Sequence, residues 1–249
     1  MLPWWIRHHR DTFEQAILID NHSTDRSVEI IKDMAPNWVV VKSFNKYFNA
    51  ALTDLEVQFY EKDLPGWKIC LNITEFLVLA SSIDGLTGAI EAMHPPTRAV
   101  GIPGVIMVDD SPHSIPDANG SLVATKQSGL IESKNRELLF SLKMKPIPAR
   151  TRFLHRAPIG NYTPGRHSTH LPDKMVLSTE LAQIRWFGFS PWTTEFKRRK
   201  LQIRSTIDQQ DVQVGWGAQH LLELEDLEAR RQALLSAVEV LPLPRLPAH

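Results

Sequence analysis

A short polar run near the start of the chain contains the first side chains that could do chemistry. Residues 16–19 are apolar, and they are followed directly by Asp20-Asn21-His22-Ser23-Thr24-Asp25. Serine, threonine and aspartate cap helix N-termini, so Ser23 and Asp25 need no ligand to explain them. A helix cap does not explain Asp20, whose carboxylate we expect to face a ligand-binding cleft.

The elements that position this run alternate between strand and helix patterns. Apolar runs predict strands over residues 16–19, 38–41, 67–71 and 76–79. Amphipathic patterns predict helices over residues 4–13, 26–34, 47–62 and 84–93. The apolar side of the third helix is expected to consist of Phe48, Leu52, Leu55 and Phe59. Short apolar strands alternating with helices are typical of a parallel sheet covered on both faces, which binds ligands beyond the carboxyl ends of its strands.

The rest of the sequence predicts a less regular structure. We expect a strand over residues 100–108, a loop over 111–120, a proline- and arginine-rich loop or lid over 146–172, and a last strand over 182–189. Helices are expected over residues 191–205 and 217–238. Together these patterns predict an α/β domain over residues 1–189, C-terminal helices over 190–240 and a frayed tail over 241–249.

The composition excludes several classes of protein. Lys plus Arg and Asp plus Glu number 28 each, so no overall charge favours nucleic acid as a partner. Cys70 is the only cysteine, which excludes an internal disulfide. No run approaches the roughly 18 apolar residues of a membrane helix. We therefore expect a folded cytoplasmic protein without a transmembrane segment, and its oligomeric state stays open.

Three segments of the chain resemble family 2 glycosyltransferases. Residues 17–27 resemble the family's DNxSTDxS segment, and residues 4–9 resemble the W…HH helix of one branch of the family. Residues 67–77, which include Trp67, Glu75 and Phe76, resemble the W…LDxDEFL segment of the same branch. The resemblance implies a glycosyltransferase A-type, Rossmann-like fold with a mostly parallel sheet and helices on both faces. The family's first strand normally precedes the W…HH helix, and we expect it to be missing here.

The resemblance also implies a function and a set of site residues. Family members transfer a sugar from a nucleotide-diphosphate donor to a hydroxyl, which implies a hexosyltransferase-class enzyme with an unknown glycan, lipid or protein acceptor. In the family the aspartate matched by Asp20 reads the nucleobase. The arginines of the proline-rich segment suit a diphosphate, because guanidinium presents a planar fork to phosphate oxygens. The expected donor-binding residues are Asp20, Asn21, Ser23, Asp25, Asn72, Thr74, Arg152, Arg156 and Arg166.

The metal-binding motif of the family is altered in this sequence. Asn72 and Thr74 stand where the family has two aspartates. Mn²⁺ and Mg²⁺ prefer anionic oxygen ligands, which Asn and Thr do not supply. Glu75 remains, although a strand tends to turn it to the other face. We therefore expect a divalent-cation site that is weakened or absent, unless Glu75 and a late histidine, His167 or His170, hold the ion.

Two further sets of residues, an acidic pair and a basic run, each have a functional and a purely structural explanation. Asp109 and Asp110 follow the predicted strand over 100–108 and could take the proton of an acceptor hydroxyl, or they could form a turn before Ser111. Glu132 is a weaker candidate for that base. The basic run over residues 197–200 predicts a solvated helix face, or a patch for acidic acceptors or anionic lipids.

The sequence leaves three classes of protein open. The first is a sugar transferase, and the second is a degenerate glycosyltransferase fold that only binds. The third is an unrelated α/β protein. The sugar, the acceptor and the stereochemical outcome are not determined by the sequence.

Overall fold

A computed structural model of the protein describes residues 1–93, 97–111, 115–144, 150–213 and 221–245. In chain order, the first half contains α1 (Leu2–His9), β1 (Ile17–Asp20), α2 (Ser27–Met34), β2 (Val39–Lys42), α3 (Ala50–Glu61), β3 (Glu75–Leu79), α4 (Ile83–Met93), β4 (Ala99–Ile102) and β5 (Gly104–Val108). The second half contains α5 (Leu122–Thr125), β6 (Ser128–Ile131), α6 (Arg136–Ser141), β7 (Arg152–His155), β8 (Lys174–Val176), β9 (Ala182–Phe189), α7 (Thr194–Gln202), α8 (Gln209–Gln213), α9 (Leu224–Leu235) and β10 (Glu239–Val240). Short 3-10 helices lie at Glu132–Lys134 and Ile203–Thr206.

Within the described residues, the strands form three sheets, and the two larger sheets are of mixed direction. β1 and β2 form a parallel pair, β7-β4-β8 form a second sheet, and β10-β6-β5-β9-β3 form the largest. The predicted α/β class is confirmed, but the mostly parallel sheet is wrong, because β3–β9, β5–β6, β6–β10 and β4–β7 all pair antiparallel. Parallel neighbours need a long crossover, usually a helix, whereas these strands return to the sheets through loops and short helices.

The local patterns of the first third are largely confirmed. β1, α2, β2, β3 and α4 lie where apolar runs and helical periodicity predict them. The strand predicted over residues 67–71 is wrong, because that segment makes only an isolated bridge between Lys68 and His155. The strand predicted over 100–108 is interrupted at Pro103, so that β4 and β5 belong to different sheets.

The proline-rich segment over 146–172 contains a core strand, so its prediction as a loop or lid is wrong in part. β7 is buried at all four of its positions and pairs antiparallel with β4. This burial places Arg152 and His155 inside the protein, whereas prolines and glycines around them indicated a surface loop. Residues 145–149 lie outside the described part of the chain.

Side chains of α1 close the outer edge of β3. The Trp5 indole Nε1 donates to the carbonyl oxygen of Glu75 at 2.9 Å. The Leu77 amide donates to His9 Nε2 at 3.1 Å, and the Leu77 carbonyl lies 2.7 Å from His8 Nε2. A helix therefore supplies the hydrogen bonds that a neighbouring strand would otherwise make.

Helix α3 has the opposite orientation to the one its pattern predicts. Leu52, Leu55 and Phe59 are exposed, while Asp54 and Glu61 are buried. The helix itself is confirmed, but the prediction that its apolar side faces the core is wrong. The physical reason is that Asp54 and Glu61 have hydrogen-bonding partners inside the protein, and a buried carboxylate is stable only when it is so paired.

The C-terminal helices pack onto the largest sheet. Phe196 of α7 and Leu234 of α9 share a buried cluster with Ile106 of β5. After β10, Leu241 is buried and its amide donates to the Gln127 carbonyl at 2.9 Å. The expected boundaries at residues 189 and 240 stay predictions.

Among the helices in the described ranges, none has the length and apolar character that crossing a membrane requires.

Candidate functional site

Glu75, at the start of β3, lies at the centre of a buried polar cluster. Its carboxylate accepts hydrogen bonds from Arg152 Nη2 at 2.6 Å and Arg152 Nε at 2.8 Å. It also accepts from the Asn72 amide at 2.8 Å and from Asn72 Nδ2 at 3.3 Å. Each oxygen thus receives two donors, and a carboxylate offers about four acceptor positions in all. The hydrogen-bonding capacity of Glu75 is therefore filled.

Arg166 extends this cluster to α3. Its Nη1 forms a short ion pair with Asp54, and its Nη2 donates to Asn72 Oδ1 at 3.0 Å. The backbone amide of Gly165 donates to the other oxygen of Asp54 at 2.7 Å. Arg166 therefore connects the altered motif at Asn72 with the buried face of α3. We call Asp54, Asn72, Glu75, Arg152, Arg166 and His167 the central polar cluster.

His167 is a neutral acceptor within the central polar cluster. Its Nδ1 lies 3.1 Å from Arg152 Nη1, and since arginine only donates, Nδ1 accepts. Burial, reinforced by the positive charges of Arg152 and Arg150, lowers the pKa of His167 to about 2. His170 is exposed on the same loop, and no hydrogen bond between described residues joins it to the central polar cluster. Of the two predicted histidines, only His167 lies beside Glu75's partner Arg152.

A second buried group, formed by Glu61, His155 and Tyr162, was not singled out from the sequence. The Tyr162 hydroxyl donates to Glu61 at 2.6 Å, and His155 Nε2 lies 2.9 Å from the tyrosine oxygen. Burial and the adjacent Glu61 charge raise the pKa of Tyr162 well above its usual value, so it keeps its proton. The only signal in the sequence was that acids Asp54 and Glu61 share one face of α3.

The predicted nucleobase-reading run lies at the carboxyl end of β1. Asp20 is half-buried and accepts a hydrogen bond from the Ser23 amide at 3.2 Å. Asp25 accepts from the Ser27 amide at 2.9 Å, and hydrogen bonding to the Ser27 hydroxyl, together with this amide, lowers the pKa of Asp25. Asn21 and Ser23 are exposed. Among the described residues, no hydrogen bond joins this run to the central polar cluster.

The remaining predicted donor-binding residues, Thr74 and Arg156, make their described contacts outside the central polar cluster. Thr74 is half-buried, and its carbonyl accepts a hydrogen bond from the Phe187 amide at 2.8 Å. Arg156 is exposed and contacts Glu91 at 3.2 Å. Asn72, Glu75, Arg152, Arg166 and His167 are thus brought together, whereas the Asp20 run and Arg156 lie outside that network.

The two predicted catalytic aspartates differ sharply. Asp109 is buried and accepts from Lys126 Nζ at 2.8 Å and from the Trp192 amide at 2.9 Å. Asp110 is exposed and accepts from the Ser128 hydroxyl at 2.7 Å. Of the two, Asp110 alone is open to solvent. Glu132, the weaker candidate, forms a buried ion pair with Arg150 at 2.8 Å.

The basic run over 197–200 is not a uniform solvated face. Lys197 pairs with Glu228 at 2.9 Å, and Arg198 pairs with Glu195 at 2.7 Å. Lys200 instead turns inward, with its ammonium 4.9 Å from the Phe189 ring centroid and 5.3 Å from that of Trp186. Burial lowers the pKa of Lys200 to about 7, with Arg199 and Arg150 contributing repulsion.

A divalent cation does not fit the residues expected to hold it. The acceptor positions of Glu75 are filled by Arg152 and Asn72, and His167 Nδ1 accepts from the same guanidinium. Asn72 Oδ1 is a neutral oxygen that already accepts from Arg166. Across the described ranges, no group of three or more His, Cys, Asp or Glu side chains is arranged to hold a metal ion.

No protein-family model matches the chain, and no curated protein matches it. The resemblance to glycosyltransferases therefore depends on the motif residues themselves, and the fold defines the class of the protein only as mixed α/β.

Proposed function

We propose that this chain is a glycosyltransferase-like protein that binds a nucleotide-diphosphate sugar without a divalent cation. One observation supports the absence of the cation: Arg152 and Asn72 fill the acceptor positions of Glu75, the acidic residue that remains in the altered motif. A metal ion would have to displace a buried guanidinium. Breaking such a pair leaves an uncompensated buried charge, which costs about 3–5 kcal/mol.

In this proposal, Asp20 binds the nucleobase and Asn21, Ser23 and Asp25 lie around the nucleoside. Asn72, Thr74, Arg152 and Arg166 bind the diphosphate end of the donor. Arg152 and Arg166 are each paired with a carboxylate, so the central polar cluster carries little net positive charge. A cation that is already paired stabilises little of the additional charge that develops on a leaving diphosphate, which favours binding of the donor over efficient transfer.

Sugar transfer to a hydroxyl acceptor is the second candidate function. It is favoured by the two buried guanidiniums beside Asn72, since a fixed cation can offset the charge that develops on a leaving diphosphate. Asp110, which is exposed, is then the candidate base for the acceptor hydroxyl. The acceptor, whether glycan, lipid or protein, is not specified by these residues.

A titration with UDP, GDP and UDP-sugars, followed by calorimetry and by thermal unfolding, tests the binding proposal. We expect a nucleotide to raise the melting temperature by mass action, equally with and without Mn²⁺. Asp20→Ala should weaken that nucleotide at least tenfold. The control is Asp33→Ala, which removes an exposed aspartate from the following helix α2. Equal nucleotide affinity in both variants, or no binding at all, would contradict the proposal.

Hydrolysis of the bound UDP-sugar separates the two candidates. Release of sugar that requires Asp110 and continues in the presence of EDTA would establish metal-independent transferase chemistry. Binding without any release, over the same range of acceptors, would leave a binding protein. Release that depends on Mn²⁺ would show that the contacts of Glu75 rearrange, and the proposed cation-free site would then be wrong.

A further inference from the structure

Helix α3 presents its apolar side to the solvent. Leu52, Leu55 and Phe59 are spaced three and four residues apart, so they form one stripe along the helix. Their exposed fractions are 47%, 61% and 47%. Phe44, from the segment before the helix, is 66% exposed, and its ring centroid lies 5.5 Å from that of Phe59. We call Phe44, Leu52, Leu55 and Phe59 the α3 patch.

The opposite side of α3 is held in place by its acidic residues. Asp54 pairs with Arg166, and Glu61 accepts from Tyr162 and from the Gly160 amide at 2.9 Å. Glu56, on the flank, accepts from the Ser43 hydroxyl at 2.7 Å and from the Phe44 amide at 2.7 Å. Rotating the helix to bury the α3 patch would break these bonds and leave carboxylates unpaired in the interior. The exposure of the patch is therefore built into the fold.

The fold also separates the charges of this segment. From Lys42 to Lys62 the charged residues are Lys42, Lys46, Asp54, Glu56, Glu61 and Lys62. The three acids are buried, and the three lysines are exposed. A segment that is neutral in sequence thus presents a positive surface. Asp63, the next residue, is an exposed acid at its margin.

Two of these lysines lie against aromatic rings of this segment, and one of the rings, Phe59, belongs to the α3 patch. Lys62 Nζ is 4.4 Å from the centroid of Phe59, and Lys46 Nζ is 5.4 Å from that of Tyr47, which is itself exposed. Aromatic and leucine side chains flanked by lysine ammonium groups are the composition of helices that lie in a membrane interface. Their rings enter the headgroup region, while the ammonium groups meet anionic lipid.

We propose that the α3 patch docks this protein onto an anionic lipid surface. The membrane would take up the exposed leucine and aromatic side chains, and Lys46 and Lys62 would contact acidic headgroups. A second copy of this chain would bring its own lysines against these, so like charges would oppose each other across that interface. The charge around the patch therefore favours lipid over self-association. The proposal does not depend on the proposed nucleotide site.

Vesicle co-sedimentation tests this proposal with the full chain. We expect binding to phosphatidylcholine vesicles that contain about one third phosphatidylserine, and weak binding to phosphatidylcholine alone. Raising the salt from about 0.1 M to about 1 M shortens the Debye length from roughly 10 to roughly 3 Å and should release most of the protein. Leu55→Ser should lower the partition coefficient about fivefold or more, and Lys46→Gln with Lys62→Gln about thirtyfold.

Two control variants test whether removing an exposed ring or lysine elsewhere on the protein has the same effect. Phe140→Ser removes a ring that is 73% exposed on α6, and Lys134→Gln removes an exposed lysine outside the α3 segment. Both variants should bind vesicles like the parent protein. Since all these side chains are exposed, circular dichroism should show each variant folded.

Three results would overturn the proposal. The first is the absence of vesicle binding, and the second is equal binding to neutral and anionic vesicles. The third is a concentration-dependent dimer, seen by light scattering, that Leu55→Ser dissociates while vesicle binding is absent. That result would assign the α3 patch to a second copy of the chain.

Discussion

The guanidinium of Arg152 and the carboxylate of Glu75 meet through two hydrogen bonds of 2.6 and 2.8 Å, and each side chain is only 2% exposed. The two residues lie far apart in sequence, so this pair fastens β7 to the start of β3. Removing one partner of such a buried ion pair is strongly destabilising, because the charge of the other partner stays buried without compensation.

Arg152→Leu should therefore destabilise the protein severely. We expect a loss of about 3–5 kcal/mol in the free energy of unfolding, measured by urea denaturation, because Glu75 would be left without its counter-ion. Arg198→Ala is the control, since Arg198 forms an exposed pair with Glu195 on α7 and its loss should change stability very little. Similar small effects for both variants would show that the Arg152–Glu75 pair is not intact in solution.

The buried histidines predict acid sensitivity. Burial lowers the pKa of His9 to about 3, and that of His167 to about 2, from an ordinary value near 6.5. Between these values the unfolded chain binds protons that the folded chain does not. Stability is therefore complete above about pH 6.5 and falls as the pH drops toward 3, at up to about 1.4 kcal/mol per pH unit for each group.

Urea denaturation at several pH values between 7 and 4 measures this effect. His9→Gln should give a flatter dependence of stability on pH than the parent protein, even though it costs stability at pH 7 by removing the contact with Leu77. His22→Gln, at an exposed histidine, should keep the parent slope. An unchanged slope in His9→Gln would contradict the assigned neutral state.

Lys200 predicts a stabilising substitution. In the described part of the chain its ammonium meets aromatic rings and other cations but forms no ion pair, and its pKa is lowered to about 7 mainly by burial. The lowered pKa means that folding favours release of the proton. The contribution of Lys200 to the free energy of unfolding therefore falls as the pH drops from about 10.5 to about 7. Lys200→Met keeps an unbranched, flexible side chain, one atom shorter than lysine, and removes the charge.

We expect Lys200→Met to raise the free energy of unfolding at pH 7 by about 1–2 kcal/mol, because it removes the cost of burying the ammonium. Residual contact of the ammonium with solvent keeps this gain below the full value that the pKa shift implies. Lys197→Met on the same helix should instead be neutral or cost up to about 1 kcal/mol, because it loses the pair with Glu228. Thermal unfolding of the two variants side by side is sufficient. A destabilised Lys200→Met protein would indicate that an anionic partner of Lys200 exists in solution.

The local elements could be predicted from sequence because their signals are local. The apolar runs before Asp20 and after Glu75 specify β1 and β3 within a residue or two. In α3, by contrast, periodicity identified the helix but not its buried face, since Leu52, Leu55 and Phe59 have the spacing of a core stripe. The buried face is decided by the hydrogen bonds of Asp54 with Arg166 and of Glu61 with Tyr162. These partners are about 100 residues away in the chain, so no local pattern contains them.

The candidate site was predictable to a similar extent. Asn72 and Glu75 were selected by the motif, Arg152, Arg166 and His167 were selected in the proline-rich segment, and the fold brings all five together. The sequence could not show that these side chains fill one another's hydrogen-bonding positions. A motif assigns each side chain a ligand but does not show which donors the fold places around it. Asp54, Glu61 and Tyr162 were missed for the same reason: each is an ordinary residue in sequence and acquires its partners only through tertiary contacts.

The edge of β3 has a consequence for behaviour at high concentration. Open strand edges are templates for pairing with another sheet, and proteins that leave them bare tend to aggregate. At Glu75 and Leu77 the outward-facing backbone groups are occupied by Trp5, His8 and His9, side chains of a helix that cannot itself continue a sheet. Helix α1 therefore protects this edge from pairing with a strand of another molecule. At Leu77 the backbone amide donates to His9 Nε2, so acid that protonates His9 would remove this acceptor and leave the amide free to pair with another strand.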